Sequence, residues 1–459
     1  MAGSGVQKNQ IIRLTCERLG ADLEGVCHFQ GLTVFVPGVL PGETFDARIL
    51  KDQKTYAFAK LETLLEASTQ RRTSFCGVYD RCGGCSGQHM TYALTLEAKR
   101  MQVYDSLTRI GGFALSQDDV PPVLGAAQPI HCRNKASLPV GGTAQQPVLG
   151  FYRRRSHDLV EIEDCPISRH SLAGMILSIR TWMRDNDVEP YDEVSHGGYL
   201  RHVVARMNRQ GDLLVVLVAT GNIVPAKDRL LSLLRQNVPG FKGLHVSENK
   251  AKGNIILGET SRMVHGSDAI TETLLGLQFL ITPLSFFQVN TEQTETLYQK
   301  AIEFAALQPG DTVVDAYAGT GTIALCMARH CARVIGLEIV PQAVETAKQN
   351  AERNAIANAE FHLAAVEEGL PRLVADGLRP DVVVLDPPRM GVEQPVIDAL
   401  LYARPQRIVY VSCHAPTQAR DMQKLAAGGY LLTRCQPVDM FCYAGGVENV
   451  ALLTLPPRD

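Results

Sequence analysis

Val313-Val314-Asp315-Ala316-Tyr317-Ala318-Gly319-Thr320-Gly321-Thr322-Ile323-Ala324-Leu325 is the run from which the architecture of the chain can be read. Two β-branched residues ahead of Asp315 predict the end of a buried strand, Ala318 to Gly321 a tight turn, and Thr322 to His330 a helix. Gly319 and Gly321 let the backbone pass close to a ligand, and the helix start adds unpaired N–H donors. The result is a nucleotide-shaped cradle at the carboxyl end of a parallel strand. Further on, Val334-Ile335-Gly336-Leu337-Glu338 predicts a second strand ending in an acid placed to accept from ribose hydroxyls. The spacing departs from G-x-G-x-x-G, because Gly321 is followed by Thr322, Ile323 and Ala324. An ordinary α/β turn without a ligand shares the pattern, so the choice between the two rests on the motifs downstream.

At 459 residues the chain has room for two or three domains. Lys plus Arg number 45 against 48 Asp plus Glu, so bulk charge announces no nucleic acid and any basic surface is local. No apolar run reaches membrane-spanning length, and the polar opening, residues 1–10, is not a signal peptide. The expectation is a cytoplasmic monomer whose twelve cysteines are reduced, with any cysteine cluster serving metal or catalysis.

Residues 9–64 read as short strands with Gly/Pro punctuation: Gln10 to Thr15, Leu32 to Val36, Thr44 to Leu50 and Tyr56 to Glu62. Such density predicts a small β-barrel. Its run Val34 to Glu43, with Pro37-Gly38 and Pro41-Gly42, resembles the turn of TRAM domains, which are RNA-binding barrels. Lys51, Lys54, Lys60, Tyr56 and Phe58 suit either a nucleic-acid face or a solvated barrel surface. Next come Cys76, Cys82 and Cys85 at C-x5-C-x2-C spacing. A fourth ligand is sought at Cys132 or Cys165, and Cys165 beside Pro166 is the better choice. Spacing alone leaves iron–sulfur and zinc level. Thr91 to Ile110 predicts a helix, Gly111 to Pro129 a linker, and Asn134 to Glu163 hairpins carrying Arg153-Arg154-Arg155. The arginines suit phosphates or a solvated hairpin edge. Residues 167–280 alternate helix and strand without evident chemistry.

From Thr312 the pattern is strand 312–316, helix 321–330, strand 333–338, helix 341–354, strand 359–363, strand 381–386, helix 393–403, strand 407–412 and helix 416–427. Strands near 430–437 and 447–455 finish the chain. That alternation is a doubly wound parallel α/β sheet with an antiparallel addition at one edge.

Three motifs fall at strand ends of this sheet. Val382 to Leu385 runs into Asp386-Pro387-Pro388-Arg389, where the prolines fix the backbone after the acid. Val409-Tyr410-Val411-Ser412-Cys413-His414 sets Cys413 at the next strand end, as a nucleophile or as a buried strand-end thiol. Glu448 precedes the last apolar strand, as a base or a surface charge. A thiol, a base and an activated methyl donor are what methylation of uracil carbon 5 requires, since that carbon is not nucleophilic unaided. Thiolate addition at carbon 6 builds an enolate, carbon 5 takes the methyl group, and the base removes the carbon 5 proton so that the thiol leaves.

With these pieces the chain resembles the RNA 5-methyluridine methyltransferases over nearly its whole length. The matching segments are the barrel 9–64, the cluster cysteines, Ser285 to Asn290, Asp315 to Gly321, Leu385 to Arg389, Ser412-Cys413 and Val447-Glu448. The resemblance implies a class I (Rossmann-like) methyltransferase domain over 281–459, a TRAM/OB-like barrel over 1–66, and a central α+β iron–sulfur domain over 67–280 whose segment 91–120 packs on the catalytic domain. It implies a 4Fe-4S cluster on Cys76, Cys82, Cys85 and Cys165, tipping the choice away from zinc. S-adenosylmethionine would be bound or its pocket ordered by Gln288, Tyr317, Gly319, Gly321, Thr322, Glu338 and Asp386. Cys413 matches the nucleophile and Glu448 the proton-removing base, beside Asp386. The implied partner is RNA, with 23S ribosomal RNA ahead of transfer RNA. The chain differs from the family's pattern at Tyr317 (usually Phe), Thr322 (Asn in the family), Ala365 (Asn or Asp in the family), His414-Ala415 (usually Asn-Pro), and the loop 441–446.

Overall fold

The computed structural model describes residues 6–456; five residues of the polar opening and the last three of the chain lie outside the described part. The first six strands are β1 (Ile11–Thr15), β2 (Arg18–Leu19), β3 (Gly25–Phe29), β4 (Leu32–Val36), β5 (Thr44–Asp52) and β6 (Tyr56–Glu66). They form one sheet in the order β1-β5-β6-β4-β3-β2, with inward Val, Ile, Phe45 and Ala side chains as its core. The Pro-Gly turns work through Glu43, which is fully buried. Its carboxylate accepts from the amides of Leu40 (2.8 Å) and Ser68 (3.0 Å) and from the Arg71 guanidinium. Gly38 and Gly42 take the left-handed conformations, φ +83° and +82°, that such a turn demands.

Helix α1 (Tyr92–Asp105) starts at Thr91, whose hydroxyl accepts from the Leu94 amide at 3.3 Å, and continues as a π-turn over Ser106–Ile110. Val103 and Leu107 are buried in the core of the carboxyl-terminal sheet. The segment expected to be a linker, 111–129, is docked instead. Val120 is buried in that core, and Leu124 pairs alongside Val438, with its amide donating to the Pro437 carbonyl at 3.0 Å. Its prolines argue against a strand, yet its unpaired backbone groups find partners on the sheet edge.

The central region holds β7 (Lys135–Gly142), β8 (Pro147–Tyr152), β9 (Leu159–Glu161), α2 (Ala173–Asp185), β10 (Leu200–Met207), β11 (Leu213–Ala219), α3 (Lys227–Asn237), β12 (Phe241–Glu248) and β13 (Arg262–Gly266). Its sheet runs β13-β12-β11-β10-β7-β8-β9, and α2 and α3 cover one face around Trp182. A hairpin of β14 (Ile270–Leu274) and β15 (Leu277–Ile281) follows.

The last part contains α4 (Thr291–Ala305), β16 (Thr312–Asp315), α5 (Thr322–Ala328), β17 (Arg333–Glu338), α6 (Pro341–Arg353), β18 (Ala359–Leu363), α7 (Val366–Ala375), β19 (Val382–Leu385), α8 (Gln394–Ala403), β20 (Arg407–Ser412), α9 (Ala415–Ala427), β21 (Leu431–Val438) and β22 (Glu448–Thr454). The sheet order is β18-β17-β16-β19-β20-β22-β21, parallel except for β22 and β21. Val313, Val382 and Val384 point to one core with α4 and α5, whereas Val314, Val383 and Leu385 point to the other with α8 and α9. Burial on both faces explains why these strands are runs of valine instead of alternating patterns. Helix α7 is absent from the sequence reading, because Gly369 and Pro371 look like a turn. Val366, Leu370 and Val374, four residues apart, bury one face and outweigh those two residues.

Candidate active site

Strand register assembles the site. Asp315, the last residue of β16, pairs with Val384 of β19, and Leu385 pairs with Tyr410 of β20. Asp386 therefore leaves β19 beside the end of β20. On the other side, Ser412 of β20 pairs with Asn449 of β22, so Cys413 emerges opposite Glu448. Four chemically competent groups from four strands share the carboxyl edge of the parallel sheet. Asn449 is fixed beside them by its side-chain N–H, which donates to Gln418 Oε1 at 2.8 Å, while the Gln418 amide donates to the Tyr410 and Asn449 carbonyls.

These groups sit in an acid-rich, poorly solvated place. Burial pushes the half-buried Cys413 thiol above its ordinary value, the charge of Glu448 pushes it further, and the Arg389 guanidinium pulls it back by charge and hydrogen bond. Glu448 is 2% exposed and its Oε2 has no hydrogen-bond partner. Burial, then the charge of Asp386, holds its carboxyl well above the usual carboxylate range. Burial raises Asp386 to about 7. Asp315 also stands at about 7, through burial and then the charge of Asp386, with the Tyr317 and Ala324 amides pulling it back. A cationic ligand relieves all three acids at once.

The glycine loop closes the site from below. Gly319 (φ +55°) faces open space, its amide donating to Glu338 Oε2 at 2.9 Å, while Glu338 Oε1 takes the Val340 amide at 2.8 Å. Gly321 (φ +79°) begins α5 against the Phe361 ring, which a Cβ there would meet at 2.8 Å. Thr322 is tied to α4 through the Tyr298 hydroxyl at 2.7 Å, and the Tyr317 hydroxyl donates to Glu367 at 3.3 Å. Gln288 is buried in a loop whose backbone the Asn134 side-chain amide holds at 2.9 Å.

Away from this edge, Cys76, Cys82, Cys85 and Cys165 line one cavity of about 270 Å³, together with Gln88 and Arg133. The Gly84 amide donates to Cys82 Sγ at 3.4 Å, and the Ile167 and Ser168 amides favour a negative Cys165 sulfur. Burial comes first in raising the Cys85 thiol, to about 11. Among the described residues no group of three or more His, Cys, Asp or Glu side chains converges on a single-ion position. The thiols ring a space; they do not meet at a point. Cys132 does not line that cavity; it is hydrogen-bonded to Cys442 in a buried cluster against which Cys85 and Cys165 pack.

Two participants are missed by motif reading. Asp315 reads in sequence as no more than a strand end, although an acid closing a run of valines is signal enough. Arg389 belongs to its motif without an evident role, and only its position beside Cys413 supplies one.

The fold and the strand-edge site define a methyltransferase of the doubly wound class. The family described as tRNA (uracil-5-)-methyltransferase matches residues 259–455, and the TRAM domain family matches residues 5–61. A protein of Halalkalibacterium halodurans described as an uncharacterized RNA methyltransferase is 39% identical over 451 residues, 98% of each chain. One of Listeria innocua, described in the same words, is 39% identical over 456 residues, 99% of this chain and 100% of that one. The crystal structure of Pyrococcus abyssi tRNA (uracil-54, C5)-methyltransferase in complex with S-adenosyl-L-homocysteine superposes with a TM-score of 0.77 at 26% identity, over 96% of this chain and 100% of that one. The chain belongs to the RNA (uracil-5-)-methyltransferase family.

Proposed function

We propose that this protein transfers the methyl group of S-adenosylmethionine to carbon 5 of a uridine in 23S ribosomal RNA, through a transient bond between Cys413 and carbon 6. The observation that carries the reading is the register that sets Cys413 opposite Glu448, with Asp386 at the neighbouring strand end. The glycine loop and Glu338 would hold the donor, Glu338 accepting from its ribose hydroxyls, and Asp315, Asp386 and Glu448 would offset its positive charge. The bound donor supplies an electrophilic methyl group. Cys413 attacks carbon 6, aided by Arg389, which favours the thiolate. Asp386 orients the pyrimidine. Glu448, whose Oε2 is unpartnered, takes the carbon 5 proton, and the Cys413 sulfur then leaves.

RNA binding is supported by a face that spans the barrel and the central hairpin. Phe35, Tyr56 and Phe58 pack against one another on the barrel, with ring centroids 5.5–6.0 Å apart. The exposed Arg155 lies 4.4 Å over the Phe58 ring, and Arg153, Lys51, Lys54 and Lys60 are exposed nearby in sequence. Aromatics with cations suit splayed-out bases and phosphates. A transfer-RNA substrate is the second reading, favoured by the Pyrococcus abyssi neighbour. The four cysteines are proposed to hold a 4Fe-4S cluster: a ring of thiols with amides donating to sulfur suits a polynuclear cluster better than one zinc ion.

The test is methyl transfer from labelled S-adenosylmethionine to ribosomal and transfer RNA that lack 5-methyluridine. Label is expected in 5-methyluridine of the ribosomal RNA; label confined to transfer RNA would replace the substrate. Cys413→Ala is expected to abolish transfer while binding the donor, and Glu448→Gln to trap a denaturation-resistant protein–RNA adduct. Free turnover by either variant would overturn its role. Anaerobic protein is expected to be brown, and colourless protein with stoichiometric zinc would overturn the cluster.

A further inference from the structure

The hairpin loop between β21 and β22 starts and ends at one rung of the ladder, where Val438 pairs with Glu448. Asp439, the first residue beyond that rung, is fully buried, and so is Lys99 of α1, whose ammonium donates to the Asp439 carboxylate. The same ammonium donates to the Phe441 carbonyl at 2.8 Å. The other Asp439 oxygen accepts from the Tyr92 hydroxyl at 2.6 Å, and that hydroxyl accepts from the Ala126 amide at 2.8 Å. Farther round the loop, Tyr443 takes φ +57°, and its carbonyl accepts from the Ser86 and Gly87 amides at 2.7 and 2.9 Å. Gly445 lies against the barrel, where a Cβ would come within 2.3 Å of the Ala21 carbonyl oxygen. Helix α1, the segment after Cys85 and the barrel thus all fasten the loop 439–447 that leads into Glu448.

A buried ion pair is a poor device for stability, since apolar side chains of the same volume serve as well or better. What it supplies is a fixed place for the backbone it holds. We infer that Asp439, clamped by Lys99 and Tyr92, is a positioning residue for proton removal: the clamp sets the loop so that Glu448, one rung away, faces carbon 5 of the uracil at working distance. The inference rests on Glu448 being the base.

Tyr92→Phe removes one hydroxyl of the clamp and keeps the ring. It is expected to lower the melting temperature modestly, because one Asp439 oxygen and the Ala126 amide lose a partner, and to leave the donor affinity and the KM for RNA unchanged while kcat falls about tenfold or more. Protein–RNA adduct should accumulate, because the step after methyl transfer is the one slowed. Asp439→Asn should show the same split more strongly where it folds, and Asp439→Glu should recover less than wild-type kcat without loss of donor binding. Full kcat in Tyr92→Phe would overturn the inference. So would a parallel fall of kcat and donor affinity, which marks general loosening. Glu448→Gln is run alongside: if it traps no adduct, the covalent reading of the reaction falls, and the kcat-against-KM split of Tyr92→Phe still decides whether the clamp serves turnover.

Discussion

Cys413 faces opposing influences. Burial and the Glu448 charge disfavour the thiolate that the proposed carbon 6 addition requires, and Arg389 favours it. Glu448 must also lose its proton before it can act as the proposed base, and burial holds that proton on. Both effects have the same sign: the reactive ionisation states gain population as pH rises, so kcat/KM should climb from neutral to alkaline pH. Arg389→Met removes the guanidinium that favours the thiolate. The limb should then move to higher pH, and the neutral-pH rate should fall about tenfold for each pH unit that the limb moves. A pH–rate profile over the stable range checks this, and an unmoved limb would remove Arg389 from the account. Motif spacing locates Cys413, Asp386 and Glu448 in the chain. It does not reveal the buried Asp315 carboxylate or the unpartnered Oε2 of Glu448, which exist because strands distant in sequence end together.

The β16–α5 junction is legible as an element because its glycines carry the backbone into conformations that other residues avoid. Gly319 and Gly321 nonetheless differ. The former opens onto space where a ligand can approach, whereas the latter is pressed on Phe361. Gly321→Ala is therefore expected to cost about 1–3 kcal/mol of stability, from φ +79° and the ring contact, and to weaken donor binding with it. Denaturant unfolding and donor titration measure the two effects; an unchanged midpoint would show that the ring moves aside freely. Helix α7 and the docked segment 111–129 escape sequence reading for a common reason. Both contain residues that locally disfavour regular structure, and both are held by burial against β-strands elsewhere in the chain.

Across the whole protein, 45 basic and 48 acidic residues nearly cancel, so RNA must be met through a local face. Arg155 on the central hairpin reaches the barrel's aromatic trio, so two parts of the chain build one surface. Replacing Arg153 and Arg155 by Ala should weaken RNA binding and lower the slope of log affinity against log salt by about one for each phosphate no longer held. Donor affinity should not change. Binding measured across a salt series checks it, and an unaltered slope would put the RNA elsewhere.

Local pattern is enough to specify the parallel sheet and the barrel, and it picks out the cysteines and the candidate reactive groups. Valine runs mark strands buried on both faces, Pro-Gly turns mark the barrel, and fixed spacing marks the thiols. What those groups experience comes from packing. Packing set Glu448 opposite Cys413, brought Arg389 to the thiol, and raised Asp315 and Asp386 to about 7. It also fastened the Glu448 loop, at Asp439, to Lys99, 340 residues earlier in the chain. Ionisation and hydrogen bonding depend on distance and dielectric, and those follow from which segments pack together rather than from which residues are neighbours in the chain.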